Sequence, residues 1–372
     1  MTGQDAGSLA ARLAARNAAF GPLSIADYMD ACLADPEHGY YKRRDPFGAS
    51  GDFTTAPEIS QIFGELIGLW CAEVWRGMGS PAQLRLAEIG PGRGTLMADA
   101  LRAAASVPGF RTALRPLLVE TSPALTAIQQ DRLAASASDA AWLGSLEDVP
   151  DGAMIVVANE LLDALPIRQF AFTDAGWRER CVAVAGDGRF TVCLRDANAA
   201  ALAAIPATVS GHAREGDIFE MRSEADALAA QLGRRAAKHP LAALFIDYGH
   251  DRSAIGDTLQ AVRRHRPADP FSHPGECDLT AHVDFGALAR SARDAGLEVH
   301  GPMPQGRFLN ALGLAQRASR LMAGMDDPAK ASLIGSGARR LADPGQMGEL
   351  FRVISLTGPH VAIPPAFEEA AQ

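Results

Sequence analysis

Four short apolar runs in this chain each stop abruptly at a cluster of acids, amides or glycines. Leu86-Ala87 leads into Glu88-Ile89-Gly90-Pro91-Gly92-Arg93-Gly94-Thr95, and Leu117-Leu118-Val119 runs straight into Glu120. Met154-Ile155-Val156-Val157-Ala158 ends in Asn159-Glu160, and Leu241-Ala242-Ala243-Leu244-Phe245-Ile246 stops at Asp247-Tyr248-Gly249-His250. Runs that are apolar throughout predict strands buried on both faces, and the helical spacing of Ala98, Ala100 and Leu101 after the glycines predicts helices between them. One acid at a strand end is ordinarily a solvated terminus. Four in series place polar groups on the carboxyl rim of a parallel sheet, where open α/β folds bind ligands. The predicted class is therefore α/β with a mostly parallel, Rossmann-like sheet.

Around that sheet the pattern predicts two additions. At the N-terminus, Ser8 to Phe20 reads as a short amphipathic helix. Ile25 to Leu33 reads as a second, with Ser24 as N-cap and Asp35-Pro36 as its end. An aromatic and glycine-rich loop from His38 to Glu58 follows, then an amphipathic helix from Ile59 to Arg76. Between Pro166 and Pro240 the parallel pattern breaks: Trp177 to Val184 and Phe190 to Leu194 alternate about Gly186-Asp187-Gly188 as a β-hairpin, and Glu224 to Lys238 is helical. A helix through Asp294 and two last strands, Leu297 to His300 and Leu350 to Leu356, paired antiparallel, complete the fold. The expected division is an N-terminal helical lobe over 1–80, sheet halves over 81–168 and 241–360, an insertion over 169–240 and a tail over 361–372.

Composition narrows the function. The 372 residues exceed one compact Rossmann-like unit, which agrees with an insertion. A net charge of -9 without Lys/Arg blocks argues against nucleic acid as partner, and the one dense basic cluster, Arg263-Arg264-His265-Arg266, reads as a solvated helix end. Five scattered cysteines show no metal spacing, so no metal site is expected and a reducing compartment fits. No apolar run approaches a bilayer span and no hydrophobic signal core follows Met1, so the expectation is a soluble, cytoplasmic protein without membrane insertion.

Glycines at 90, 92 and 94 suit a backbone that bends sharply beside a ligand. A dinucleotide fingerprint would need a third glycine where Thr95 stands, which disfavours a nicotinamide dehydrogenase. The pattern E-x-G-x-G-x-G instead resembles the first motif of S-adenosylmethionine (SAM) methyltransferases. Glu88, Gly90, Pro91, Gly92, Gly94 and Asn159 are then the candidate cofactor residues, with Glu120 placed to accept from the ribose hydroxyls.

Further motifs extend the likeness along nearly the whole chain. Asp35-Pro36-Glu37-His38-Gly39-Tyr40-Tyr41, Gly51-Asp52-Phe53-Thr54-Thr55-Ala56-Pro57-Glu58-Ile59-Ser60, the glycine loop, Asn159-Glu160 with Asp163-Ala164-Leu165-Pro166, Ile246-Asp247-Tyr248-Gly249 and Asp278 to Phe285 resemble the MidA family, also called the complex I assembly factor 7 family. Gln305-Gly306-Arg307-Phe308-Leu309 is similar to another segment of it. The resemblance implies a class I SAM-dependent methyltransferase that dimethylates an arginine symmetrically in a matrix-arm subunit of respiratory complex I during assembly, in the mitochondrial matrix if the chain is eukaryotic. A SAM enzyme for a small metabolite, and a SAM-binding assembly factor with little catalysis, stay open.

Carboxylates are the natural partners of an acceptor guanidinium, which stays protonated and takes bidentate hydrogen bonds. Glu160 and Asp163, one helical turn apart after the third strand and spaced to share a face, lead the catalytic candidates. Asp52 and Glu58 on the N-terminal loop come next. Tyr40, Tyr41, His38 and His282 read as packing or structural groups.

Overall fold

The computed structural model describes residues 7–43, 54–137 and 139–368, so Asp52 lies outside the described residues. The chain packs as two compact units. One comprises 54–162, 227–251 and 285–372; the other comprises 1–53, 163–226 and 252–284. These boundaries differ from the linear division expected at 80, 168 and 240.

Among the described residues the first unit, the sheet unit, holds seven strands: β1 (Leu84–Ile89), β2 (Leu114–Val119), β3 (Ala141–Leu143), β4 (Met154–Asn159), β5 (Leu241–His250), β6 (Glu298–Pro304) and β7 (Phe351–Thr357). Their order across the sheet is β6-β7-β5-β4-β1-β2-β3. All pairs from β5 to β3 are parallel, whereas β7 runs antiparallel to both β5 and β6. The direction of winding reverses between β1 and β4, so the crevice beyond their carboxyl ends is the switch point where such sheets take ligands. This is the class I methyltransferase fold, and the antiparallel last pair matches the sequence expectation.

Helices cover the sheet for reasons visible in the pattern. α1 (Ala56–Ile59) is a single turn with Pro57 near its start. Ser60 then caps α2 (Gln61–Gly77), accepting from Ile62 N–H, so the long helix begins two residues later than expected. Its buried positions Ile62, Phe63, Leu66, Ile67, Trp70, Cys71 and Val74 recur at helical spacing and pack with Leu96, Ala100 and Leu101 of α3 (Thr95–Ala104). Glu65, buried on α2, is held by Arg102 Nη2 at 3.0 Å and Arg317 Nε at 2.8 Å. Burial alone would raise its pKa, but the two guanidinium groups bring it below the ordinary value.

The second unit gathers three stretches of chain. Its helices Leu9–Phe20 and Ile25–Ala34 start where expected, the latter with a capping box between Ser24 and Asp27. The hairpin Gly176–Val184 with Phe190–Asp196 forms as expected, and Arg168–Thr173 pairs with Gly176–Arg180. Glu179, buried in this sheet, bridges Arg168 Nε at 2.7 Å and Arg195 Nε at 2.9 Å. The basic cluster is not a helix end. Arg263 pairs with Arg266 across a two-residue turn in which Arg264 (φ 53°) and His265 (φ 59°) are both left-handed, the geometry of a tight β-hairpin.

Candidate active site

The carboxyl rim of the sheet unit gathers most of the candidate residues. After β1 the backbone passes through left-handed glycines at Gly90 (φ 63°), Gly92 (φ 53°) and Gly94 (φ 74°) before α3 begins at Thr95. At Gly90 a Cβ would stand 2.8 Å from Leu161 Cδ1, and at Gly94 it would stand 3.4 Å from Gln129 Cγ. The turn therefore lies flush against its neighbours with backbone exposed where side chains would otherwise project.

Gly94 caps α3 but has no side chain to accept from its first turn. Glu88 supplies the acceptor from below. It shares a strand face with buried Leu84 and Leu86, and its carboxyl accepts from Met97 N–H. Burial pushes its pKa up to about 8, offset only partly by that hydrogen bond, and its Oε2 is buried with no hydrogen-bond partner among the described residues. Burial thus favours the protonated form of the Glu88 carboxyl beneath the glycine turn.

At the end of β2, Glu120 is tightly oriented. Its Oε1 accepts from Thr121 N–H at 2.8 Å and Ser122 N–H at 2.7 Å, and its Oε2 accepts from Gln129 Nε2 at 3.1 Å. One lone-pair direction on Oε2 is left by those bonds.

The end of β4 departs from expectation. The segment from Glu160 to Pro166 contains turns and no helix, so Glu160 and Asp163 are not stacked on a helical face. Glu160 is left-handed (φ 52°), and its N–H donates to Ile246 O at 2.9 Å. Buried Asp247, at the end of the apolar run in β5, then accepts from Leu161 N–H at 3.1 Å, Leu162 N–H at 2.8 Å and Tyr248 N–H at 2.9 Å. The backbone thereby turns away before a helical turn can form.

Glu160 Oε1 accepts from Ala56 N–H at 2.9 Å and Asn159 Nδ2 at 3.0 Å. Asn159 Oδ1 is buried with no hydrogen-bond partner among the described residues. Glu58 of α1 reaches the glycine turn, where its Oε1 accepts from Thr95 Oγ1 and its Oε2 lies 3.8 Å from Arg93 Nη1. Two carboxylates thus tie α1 to both loops of the switch point.

Asp163 falls in the second unit. Buried there, its carbonyl accepts from Ala281 N–H at 3.0 Å and Arg222 Nη2 at 3.3 Å. Arg222 also donates to the carbonyls of Leu165, Ala281 and His282 at 3.1, 3.0 and 3.2 Å, pinning two of the sequence motifs together. Tyr41 donates to Asp278 Oδ1 at 2.7 Å, and its pKa is raised well above the ordinary tyrosine value by burial and then by the charges of Asp278 and Asp163.

The residues on the rim suit SAM. A flush glycine turn admits the methionine part without a cradle for phosphate, Glu120 has an acceptor direction for a ribose hydroxyl, and the buried unpartnered Asn159 Oδ1 at the switch point offers an acceptor to a ligand donor. Sequence reasoning missed Gln129, Asp247 and Arg222 as organisers. A signal existed for the first: Leu125, Gln129 and Leu133 recur every four residues on the buried face of α4 (Pro123–Leu133), a glutamine where a core residue belongs.

Comparison with known proteins agrees with this geometry. Residues 66–303 match a family described as S-adenosyl-L-methionine-dependent methyltransferases. The chain is 37% identical over 94% of its length to "Protein arginine methyltransferase NDUFAF7, mitochondrial" of Danio rerio, covering 86% of that protein. It is 34% identical over 91% of its length to the Homo sapiens protein of the same name, covering 81% of it. A Burkholderia thailandensis methyl transferase candidate crystallised with S-adenosyl-homocysteine superimposes with a TM-score of 0.82 at 32% identity, over 96% of this chain and 93% of that one. The chain therefore belongs to this family of S-adenosyl-L-methionine-dependent methyltransferases, with S-adenosyl-L-methionine as its cofactor.

Proposed function

We propose that this methyltransferase acts on the terminal nitrogens of an arginine in a protein partner, yielding symmetric dimethylarginine on a matrix-arm-type subunit of respiratory complex I during its assembly. The observation that carries this is near full-length similarity to relatives named protein arginine methyltransferases, at 34–37% identity. An acidic chain, with net charge -9, also suits a basic, arginine-bearing segment.

Bound SAM supplies a methyl group on a cationic sulfur that leaves neutral, so the protein need not protonate the leaving group. Its residues align and orient. The turn from Gly90 to Gly94 would lie under the methionine part, with Glu120 against the ribose. Glu160, its Oε1 fixed by Ala56 and Asn159, would hold the acceptor guanidinium so that one terminal nitrogen faces the methyl group, and that nitrogen would give up one proton to the carboxylate or to solvent as its bond to the methyl carbon forms. After one transfer the guanidinium must turn to present its unmodified nitrogen, so the carboxylate has to grip the methylated side without blocking it. Glu58 is the further acid proposed for the acceptor, its carboxylate already tying α1 to the glycine turn through Thr95 and Arg93.

The test is methylation of the purified subunit, with the product resolved by fragmentation mass spectrometry, using wild type and Glu160→Gln. Glu160→Gln keeps the hydrogen-bonding oxygen and removes the charge, so turnover should fall about a hundredfold while SAM affinity stays within about twofold. Wild-type turnover in Glu160→Gln removes Glu160 from the chemistry. A product on lysine, or on a small metabolite alone, overturns the arginine reading.

A further inference from the structure

Gln129 is fully buried at the centre of the cofactor rim, yet it belongs to neither loop that faces the ligand. Its Nε2 donates to Gly92 O at 2.7 Å and to Glu120 Oε2 at 3.1 Å, and its Oε1 accepts from Trp142 Nε1 at 2.9 Å. Every bonding direction of the amide but one is therefore used. The orientation is also forced. An indole N–H only donates, and a carbonyl and an ionised carboxylate only accept, so the amide cannot flip without placing donor against donor and acceptor against acceptor.

We propose that Gln129 is the positioning residue of the SAM site, with Trp142 fixing its amide so that one side chain sets the spacing between the glycine turn and the ribose acid. Glu120 is already held on Oε1 by two backbone N–H groups. The bond from Gln129 removes its remaining rotational freedom and leaves one direction on Oε2 for a hydroxyl. At Gly92 the same amide tethers the carbonyl in the middle of the turn, next to Gly94, where a Cβ would stand 3.4 Å from Gln129 Cγ. Ordering both loops before the cofactor arrives lowers the entropy lost on binding. Gln129 touches no ligand itself and acts through Glu120 and Gly92. The inference rests on the assignment of Glu120 to the ribose.

A double-mutant cycle read by calorimetry with SAM tests it. Gln129→Met keeps length and volume and removes all three hydrogen bonds; Glu120→Ala removes the acid. Each single variant should bind SAM at least about tenfold more weakly, the equivalent of one well-made hydrogen bond to a charged group. The double variant should be weaker than either single one by clearly less than the product of the two effects, because the bond between Gln129 and Glu120 is lost in both while the tether to Gly92 is lost only with Gln129. Effects that multiply in full would reduce Gln129 to general packing and overturn the proposal. Unchanged affinity in Glu120→Ala would overturn the ribose assignment itself, and with it the action of Gln129 through that acid. Should Gln129→Met fail to fold, Gln129→Glu retains the acceptor for Trp142 while losing both donors. It should show the same tenfold loss, and unaltered affinity in it refutes the proposal equally.

Discussion

Glu88→Gln should make the cofactor-free protein lose less stability as pH rises. Glu88 is buried beneath the glycine turn with Met97 N–H on its carboxyl, and burial pushes its pKa from 4.5 up to about 8. Between those values the folded protein keeps a proton that the unfolded chain has released. The stabilising proton is thus fully retained below about pH 4.5, and stability falls with rising pH by about 1.4 kcal/mol per unit until pH 8. From pH 5 to pH 8 the loss is about 4 kcal/mol, a large share of the 5–15 kcal/mol that is typical of folded proteins. Glutamine keeps the shape and still accepts from Met97, but has no proton to lose. Its new amide hydrogens find no partner at the Oε2 position, which lowers stability by about 1–3 kcal/mol at every pH alike. Other groups titrate in this range. Asp99, raised to about 6 chiefly by burial, also destabilises as pH rises toward 6, whereas His300, lowered by burial, acts in the opposite sense. Both are common to the two proteins and cancel in the difference. Urea unfolding at half-unit intervals from pH 5 to 8.5 gives that difference directly. Stability of wild type minus that of Glu88→Gln should fall steadily over the window. Parallel curves would refute the assignment, since they would require Glu88 to be ionised in the folded state.

Three further outcomes follow from the same structure. Gly90→Ala should lower stability by about 1–2 kcal/mol, from the left-handed backbone and the contact with Leu161, and weaken SAM binding in calorimetry; full retention of both would show that the turn relaxes without consequence. Arg222→Met should cost about 3 kcal/mol or more in chemical denaturation, because the guanidinium serves four backbone carbonyls, and a change under about 1 kcal/mol would mean that water replaces it. Glu160→Gly should leave stability within about 1 kcal/mol, relief of the left-handed strain offsetting the lost hydrogen bonds, while turnover falls at least as far as in Glu160→Gln; retained turnover would assign the strain no role in the chemistry.

Much of the fold was legible because parallel strands buried on both faces leave apolar runs, and β1, β2, β4 and β5 each contain one, although Arg85 and Arg115 stand near the starts of the first two. What linear patterning misses is pairing. The apolar run of β5 ends at Ile246, yet the strand continues to His250 because Asp247 and Tyr248 still pair with Arg352 and Phe351 of β7. The basic cluster looked like a helix end because arginine and histidine are not turn formers; the register Arg263 to Arg266 overrode that preference. The composition of the second unit from three distant stretches is likewise a property of tertiary contacts and leaves no mark in local spacing.

The site was legible where the backbone itself dictates residue type and illegible where side chains act on backbone. Three left-handed positions in succession demand glycine, so the glycine turn announced itself. At Glu160 the same demand is disobeyed. A left-handed glutamate costs about 1 kcal/mol or more, and a glycine would adopt that backbone freely. The sequence there reads as a helical turn because nothing local reveals that Asp247, far along the chain, claims the next two N–H groups. The strain is sustained by three bonds: Glu160 N–H to Ile246 O, and Ala56 N–H and Asn159 Nδ2 to Glu160 Oε1. Those bonds fix a carboxylate at the switch point, on the rim where the glycine turn and Glu120 also lie. A backbone held in an unfavourable state by these partners is the arrangement expected of the role proposed above for Glu160, in which a fixed negative charge faces an acceptor guanidinium and a glycine could not substitute.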